Sequence, residues 1–247
     1  RDTDRSRGLG DVYKRQAPGE TVGIIGGTGS GKSSLVNMIP RFYDASQGSV
    51  CIDGVDVKDY TLDELRHKVG VVPQKTVLFA GTIADNIRWG KQDATEAEID
   101  EALEIAQAKE FVDGKENGIY FKITQGGKNL SGGQKQRLSI ARAIAKDPEI
   151  FIFDDSFSAL DFKTDSTLRK ALKEYTKEAT TIIVAQRIST ILHANQIIVL
   201  DEGKIAGIGT HEELLASCEA YQEIARSQLS EACLLYTSPS PRDRSVS

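Results

Sequence analysis

A glycine-rich run near the start of the chain has the residues needed to hold phosphate. It reads Gly26-Gly27-Thr28-Gly29-Ser30-Gly31-Lys32-Ser33, which fits the pattern G-x-x-x-x-G-K-[ST], with Ser34 next in sequence. Glycines let backbone N–H groups turn toward phosphate oxygens, and the N-terminus of the following helix adds partial positive charge. We expect Lys32 to reach the β and γ phosphates of a nucleotide and the Ser33 hydroxyl to ligate Mg²⁺. Taken alone, the run could also be a glycine-rich turn before a helix.

Polar residues follow two apolar runs that are typical of buried strands. Asp154 and Asp155 come directly after Phe151–Phe153, and Gln74 follows Val69–Val72 after one proline. A carboxylate at the end of a buried strand needs a partner or a cation. We therefore expect Asp154 to reach Mg²⁺ through water. Gln74 by itself is weak evidence, because a polar residue after such a run is usually an ordinary loop residue.

A third motif, Leu130-Ser131-Gly132-Gly133-Gln134, lies between these two in sequence. With all three motifs in this order, the chain from about Ala17 to Ala232 resembles the ATP-binding domain of an ABC (ATP-binding cassette) transporter. The resemblance implies ATP and Mg²⁺ as cofactors. It also implies that Gln74 touches the metal and the attacking water, in a loop that links the core to membrane domains.

The resemblance gives the third motif a partner on another molecule. Ser131, Gly132, Gly133 and Gln134 would contact the γ-phosphate of ATP held by a second nucleotide-binding domain, in a head-to-tail dimer. The run Ser158–Asp161 is similar to the loop that couples the two sites in the family.

Two positions depart from the family pattern, and both would face the γ-phosphate. The position after Asp154 is normally Glu and is here Asp155, while the switch position is normally His and is here Gln186. Asp is one methylene shorter than Glu, so its carboxylate falls on the order of 1.5 Å short, which can slow a reaction about a hundredfold. Gln can hydrogen-bond phosphate but cannot carry a proton or a charge. The catalytic candidates are Asp155, Gln186 and Gln74. With the two departures, the chain resembles the slow, degenerate-site half of a heterodimeric exporter.

The two ends of the chain are expected to be foreign to the protein. Arg1–Gln16 and Cys233–Ser247 match translations of the two complementary strands of one sequencing adapter. The alternative is a pair of disordered natural tails. We exclude both ends from fold reasoning, and expect Ala17–Ala232 to be the natural segment.

Composition limits the partners and the compartment. The net charge is −5, and it becomes more negative without the two ends, so there is no electrostatic case for nucleic acid. Cys51 and Cys218 lack metal-ligand spacing, which favours a reducing cytosol. No run approaches the roughly 20 apolar residues that span a bilayer. We therefore expect transmembrane domains to be missing from this fragment and the domain to lie at the cytoplasmic face of the cell membrane.

The elements that must position these residues alternate between strands and helices. Apolar runs predict strands at Thr21–Ile25, Gly48–Ile52, Val69–Val72, Glu149–Phe153, Thr180–Ala185 and Gln196–Leu200. Predicted helices include Lys32–Ile39, Lys135–Lys146 and Thr164–Glu178, with capped helix starts at Thr61, Thr95 and Thr210 and a tight turn at Asp53-Gly54.

This alternation predicts an α/β fold with a mainly parallel sheet and a helical insertion. The resemblance identifies it as a P-loop NTPase (RecA-like) core whose N-terminal β strands are truncated. We expect the core to comprise residues 17–78 and 147–232, with the helical signature subdomain at 79–146. The adenine-stacking aromatic of the family would precede the loop and be lost.

Three functions are compatible with the sequence. The first is the ATPase subunit of an exporter of drugs, lipids or peptides. The second is a soluble ABC ATPase acting on ribosomes or DNA, and the third is a non-hydrolytic regulatory ATP-binding subunit. The remaining single residues have simple interpretations: His67, His193 and His211 at the surface or in caps, Trp89 packed in the helical insertion, and Cys51 in the core.

Overall fold

The structure is a computed structural model that describes residues 19–228. The two predicted foreign ends, 1–16 and 233–247, lie outside the described residues. The strands are β1 (Thr21–Gly26), β2 (Cys51–Ile52), β3 (Val55–Asp56), β4 (Val69–Val72), β5 (Gly81–Thr82), β6 (Lys122–Ile123), β7 (Ile150–Asp154), β8 (Thr180–Val184), β9 (Gln196–Asp201) and β10 (Lys204–Gly209).

The α-helices alternate with these strands. They are α1 (Lys32–Asn37), α2 (Leu62–Lys68), α3 (Ile83–Arg88), α4 (Glu96–Ile105), α5 (Lys109–Asp113), α6 (Gly132–Ala145), α7 (Phe162–Tyr175), α8 (Ile188–Ile191), α9 (His211–Ser217) and α10 (Glu219–Gln228). Short 3-10 turns lie at Gly118–Tyr120 and Gln125–Gly127. The described chain divides into two compact units, residues 21–32 with 184–228, and residues 19–20 with 33–183.

The first unit is built around the central strand β9. It pairs parallel with β1, where Gly26 lies opposite Leu200, and antiparallel with β10. The apolar residues of β1 and β9 are buried, as is typical of strands covered on both faces. A side chain at Gly26 would place its Cβ 2.1 Å from the Leu200 carbonyl oxygen, so the sheet itself requires glycine where β1 ends.

The second unit contains the parallel pair of β4 and β7, in which Val69 lies opposite Ile150 and Val72 opposite Phe153. Helices α3, α4 and α6 pack on one another in this unit. Its core joins the strand residues Val72 and Phe153 to Leu138 of α6 and Ile87 of α3. The strand ends that carry the site are therefore fixed by the same core as the helices.

Several sequence predictions are confirmed at the level of elements. The α/β organisation with parallel strands is present. Thr61, Thr95 and Thr210 each cap a helix, with a side chain that accepts from the backbone N–H three residues later. The turn at Asp53-Gly54 has φ angles of +54° and +82°, as a tight hairpin requires. The domain boundaries near residues 78 and 146 stay a prediction.

Other element predictions were wrong in their limits. The helix after Leu130 begins at Gly132 rather than Lys135, because Ser131 caps it. The first helix ends at Asn37, two residues earlier than expected, and the helix predicted at Thr164–Glu178 runs from Phe162 to Tyr175. The predicted strand Gly48–Ile52 is only Cys51–Ile52, and the glycine-containing strand β10 was missed. No helix within residues 19–228 is long and apolar enough to cross a membrane.

Two single-residue interpretations were also wrong. His211 is buried, because its Nδ1 lies 2.8 Å from the hydroxyl of the fully buried Tyr221. Burial lowers the pKa of His211. Cys51 is exposed, since in the short strand β2 it is the neighbour Ile52 that faces inward. Trp89, by contrast, packs in the helical insertion as predicted, against the Phe79 ring at a centroid distance of 4.8 Å, and is 66% exposed.

Candidate functional site

The loop that follows β1 is open on the side where phosphate would bind. Gly29 and Gly31 have φ angles of +80° and +91°, which glycine adopts without strain. A Cβ built on Gly27, Gly29 or Gly31 would meet nothing within 4 Å. These glycines are therefore explained by backbone conformation and by space for a ligand, whereas Gly26 is explained by the sheet.

Lys32 holds this loop through its ammonium group. Its Nζ donates to the carbonyl oxygens of Gly26 at 2.8 Å and Gly27 at 2.7 Å, and to Ser30 Oγ at 3.3 Å. The positive charge therefore lies within the loop. An ammonium placed there can offer the same donors to phosphate oxygens.

The second unit brings together two oxygen groups suited to Mg²⁺. The Ser33 Oγ donates to Asp154 Oδ1 at 3.2 Å. Asp154 is only 9% exposed and ends β7. Mg²⁺ prefers hard oxygen ligands and is commonly held by one or two protein groups together with water and nucleotide phosphates. Ser33 and Asp154 fit that ion, which would neutralise phosphate charge when bound.

Gln74 and Asp155 also meet, because β4 and β7 are neighbouring parallel strands whose carboxyl ends lie together. Gln74 Nε2 donates to Asp155 Oδ2 at 3.1 Å. Asp155 has a φ of +47°, in the left-handed region. The buried Ser156 ties the two strand ends further, since its Oγ donates to the Val72 carbonyl at 2.7 Å. Sequence reasoning missed Ser156.

The third motif, Leu130–Gln134, is called the signature segment below. It forms the N-terminus of the 14-residue helix α6. Ser131 Oγ accepts the Gln134 N–H at 3.2 Å, and Gln134 Oε1 accepts the Ser131 N–H at 3.1 Å. The first amides of a helix have no acceptor inside it, so the N–H groups of Gly132 and Gly133 are directed at the space before the helix. A Cβ on Gly133 would lie 3.3 Å from the Ala159 carbonyl, inside the predicted coupling loop.

Gln186, the predicted switch residue, lies in the first unit, just after β8. Its side chain is exposed, and its carbonyl accepts from Gln228 Nε2 at 2.6 Å. The preceding residue, Ala185, donates its N–H to the Ile24 carbonyl at 2.9 Å. The predicted site residues thus divide between the units, with Gly26–Lys32 and Gln186 in the first. Ser33, Ser34, Gln74, Ser131–Gln134, Asp154 and Asp155 are in the second.

A buried polar cluster next to α6 was not predicted from sequence. Asn86 Oδ1 accepts from the Phe79 N–H at 2.9 Å and from Arg142 Nη2 at 3.1 Å. Burial lowers the pKa of the Arg142 guanidinium. Gln136 Oε1 accepts from Thr76 Oγ1 at 2.7 Å. The sequence does carry a signal for this cluster, because Asn86 in α3 and Arg142 in α6 stand at positions where the helix pattern would place apolar residues.

A glycine-rich loop of this sequence after a parallel strand is typical of nucleotide-binding α/β proteins of the P-loop class, as is a serine in hydrogen-bond contact with a strand-end aspartate. The family model described as ABC transporter matches residues 10–158. The chain therefore belongs to the ABC transporter family, as an ATP-binding domain.

Relatives and a solved structure agree with this assignment. The chain is 49% identical over 223 residues to an uncharacterised ABC transporter ATP-binding protein of Mycobacterium bovis, covering 89% of this chain and 38% of that protein. It is 45% identical to a putative multidrug export ATP-binding/permease protein of Bacillus subtilis, covering 90% and 38%. A bacterial Atm1-family ABC exporter with ATP bound superimposes with a TM-score of 0.83 at 39% identity, covering 86% of this chain and 38% of that one.

These findings confirm the predicted P-loop fold with a mostly parallel sheet and the resemblance to ABC transporters. Membership in the family implies ATP binding, normally with Mg²⁺. The chain spans 38% of the length of these relatives.

Proposed function

We propose that this chain is the ATP-binding domain of an exporter and that it pairs with a second, different nucleotide-binding domain. ATP on its own phosphate loop turns over slowly, while its Leu130–Gln134 segment completes the ATP site of the partner. The exporter assignment rests on the relative named for multidrug export and on the exporter structure. The division of labour rests on Asp155 and Gln186.

The observation that carries the proposal is the backbone conformation of Asp155 and its hydrogen bond with Gln74. Its shorter side chain starts from a backbone in the left-handed region and already accepts the Gln74 amide at 3.1 Å. A general base must reach the proton it abstracts, directly or through one water. Asp155 is one methylene shorter than the Glu usual in the family, and Gln186 cannot share a proton as His does. Both changes slow hydrolysis at the chain's own site.

The signature segment, by contrast, has every group its role requires. Ser131 caps α6 through its Oγ lone pair, which leaves the hydroxyl hydrogen available to a phosphate oxygen. The Gly132 and Gly133 amides and the helix dipole favour an anion at the same place. This segment is therefore suited to a γ-phosphate on a partner domain.

An exposed apolar surface in the second unit is the proposed contact for the transmembrane domains. Phe79 and Trp89 lie in contact, and Val77 beside them is 50% exposed. Arg142 stacks its guanidinium over the Phe79 ring at 5.8 Å and donates to the Val77 carbonyl at 3.1 Å. A cluster of large exposed apolar side chains is typical of an interaction site. It would place the domain at the cytoplasmic face of the membrane.

The second candidate is a regulatory subunit that binds ATP without hydrolysing it. The same two residues, Asp155 and Gln186, favour it. It differs from the first candidate only in that the chain's own site has no catalytic role.

The double variant Asp155→Glu with Gln186→His tests the slow-site explanation in the full-length transporter. Restoring both groups should raise hydrolysis at this site on the order of tenfold to a hundredfold, measured as single-turnover release of phosphate. Asp147→Glu is the matched control, since Asp147 also has a positive φ, of 52°. A double variant no faster than the native protein would refute the explanation.

A further inference from the structure

The C-terminal helix α10 reaches the segment that carries Gln186. Tyr221 and Ala225 on one face of α10 are buried, and the helix contacts α8, α9 and β9. Gln228 comes seven residues after Tyr221 and so lies on the same face. The packing of α10 therefore brings the Gln228 side chain to the start of α8.

The Gln228 amide makes two hydrogen bonds that bracket Arg187. Its Oε1 accepts the Ile188 N–H at 2.9 Å, and its Nε2 donates to the Gln186 carbonyl at 2.6 Å. Ile188 is the first residue of α8, and Arg187 makes no side-chain cap there. Since the first amides of a helix lack partners inside it, Gln228 caps α8 from a different helix.

The segment is fixed from its other side by the sheet. The Ala185 N–H donates to the carbonyl of Ile24 in β1, the strand that leads into the phosphate loop. Gln186 thus lies between a bond to β1 and the two bonds from Gln228.

From this geometry we infer that Gln228 is a positioning residue for the switch residue Gln186, so that α10 takes part in ATP recognition. The inference rests on the proposed role of Gln186 at the γ-phosphate. Gln228 acts on the backbone and so sets the direction in which the Gln186 side chain projects. Groups that contact a reacting phosphate need placement within a fraction of an ångström.

Hydrogen exchange in the full chain tests the backbone part of the inference. Gln228→Leu keeps the size of the side chain but removes both bonds, so the Ile188 amide should exchange about tenfold faster. Gln222→Leu is the matched control, because Gln222 on the same helix donates to the Leu215 carbonyl at 2.8 Å, away from the switch. Unchanged exchange at Ile188 in Gln228→Leu would overturn the inference.

Nucleotide affinity tests the functional part. Calorimetry with a non-hydrolysable ATP analogue and with ADP gives the preference for the γ-phosphate. Gln228→Leu should reduce this preference about three- to tenfold, as should Gln186→Ala, and the double variant should show no further loss. Gln222→Leu should lower the melting temperature and leave the preference unchanged.

The two failures are distinguishable. If Gln186→Ala reduces the preference and Gln228→Leu does not, the positioning role is wrong and the proposed function stands. If Gln186→Ala leaves the preference unchanged, the proposed role of Gln186 is wrong, and the role of Gln228 in ATP recognition is wrong with it.

Discussion

Two neighbouring carboxylates at the end of β7 have different surroundings, and we propose different roles for them. Asp154 is nearly buried beside the Ser33 hydroxyl, where a cation would offset its charge. Asp155, just after the strand, has a positive φ and accepts a hydrogen bond from the Gln74 amide.

Lys32→Ala tests the charge in the phosphate loop. The variant loses the ammonium that contacts the Gly26 and Gly27 carbonyls and that would pair with the β and γ phosphates. We expect Mg·ATP affinity in calorimetry to fall at least about a hundredfold, since hydrogen bonds to a charged group contribute about 1.5–3 kcal/mol each. Lys173→Ala, on an exposed position of α7, is the control. Native affinity in Lys32→Ala would exclude the assigned role.

Helix α6 connects the signature to the rest of the second unit. Its N-terminus carries Ser131, while Gln136 and Arg142 further along bond to the chain after β4 and to α3. The apolar residues of α6 are buried between these contacts. The signature is thus the exposed end of a helix that is otherwise fixed in the core.

Asn86→Ala tests how much this buried polar cluster stabilises the fold. Asn86 Nδ2 donates to the carbonyls of Phe79 and Thr82, and its Oδ1 accepts from Phe79 and Arg142. The substitution leaves buried partners unsatisfied, so the free energy of unfolding should fall by about 2–4 kcal/mol.

Asn129→Ala is the matched control for this change. Asn129 also bonds to the backbone, at Thr124 and Lys122, but it is exposed. Water can replace its hydrogen bonds, so the free energy of unfolding, measured by urea denaturation, should fall by less than about 1 kcal/mol. Equal losses in the two variants would contradict the argument from burial.

The sequence predicted what depends on neighbouring residues and missed what depends on distant ones. The caps at Thr61 and Thr95 and the turn at Asp53-Gly54 are set within four residues, and all three were predictable. The Gln228 contact joins residues 42 positions apart, and no local pattern signals it. His211 was misplaced for the same reason, because its burial depends on Tyr221, ten residues later.

At the scale of the whole molecule, the chain carries two groups of site residues with unequal capacity. We propose that Lys32 in the first unit binds the phosphates of ATP and that Ser33 and Asp154 in the second unit bind Mg²⁺, whereas Asp155 and Gln186 are poorly suited to hydrolysis. The N-terminus of α6, by contrast, offers the Ser131 hydroxyl and the Gly132 and Gly133 amides as donors to a phosphate. We therefore assign rapid hydrolysis to a site that this chain completes on another domain.

The most direct test compares Ser131→Arg with Asp155→Asn in the full-length transporter, with steady-state ATPase activity as the readout. Arginine at the start of α6 would block the composite site, so we predict a loss of ATPase activity of more than about tenfold. Asp155→Asn should keep most of the activity, because Asn retains an acceptor for Gln74 and this carboxylate is not the main base. Ser49→Arg, at an exposed loop position, is the control. The reverse pattern, with Asp155→Asn inactive and Ser131→Arg active, would contradict the account and make Asp155 a working catalytic base.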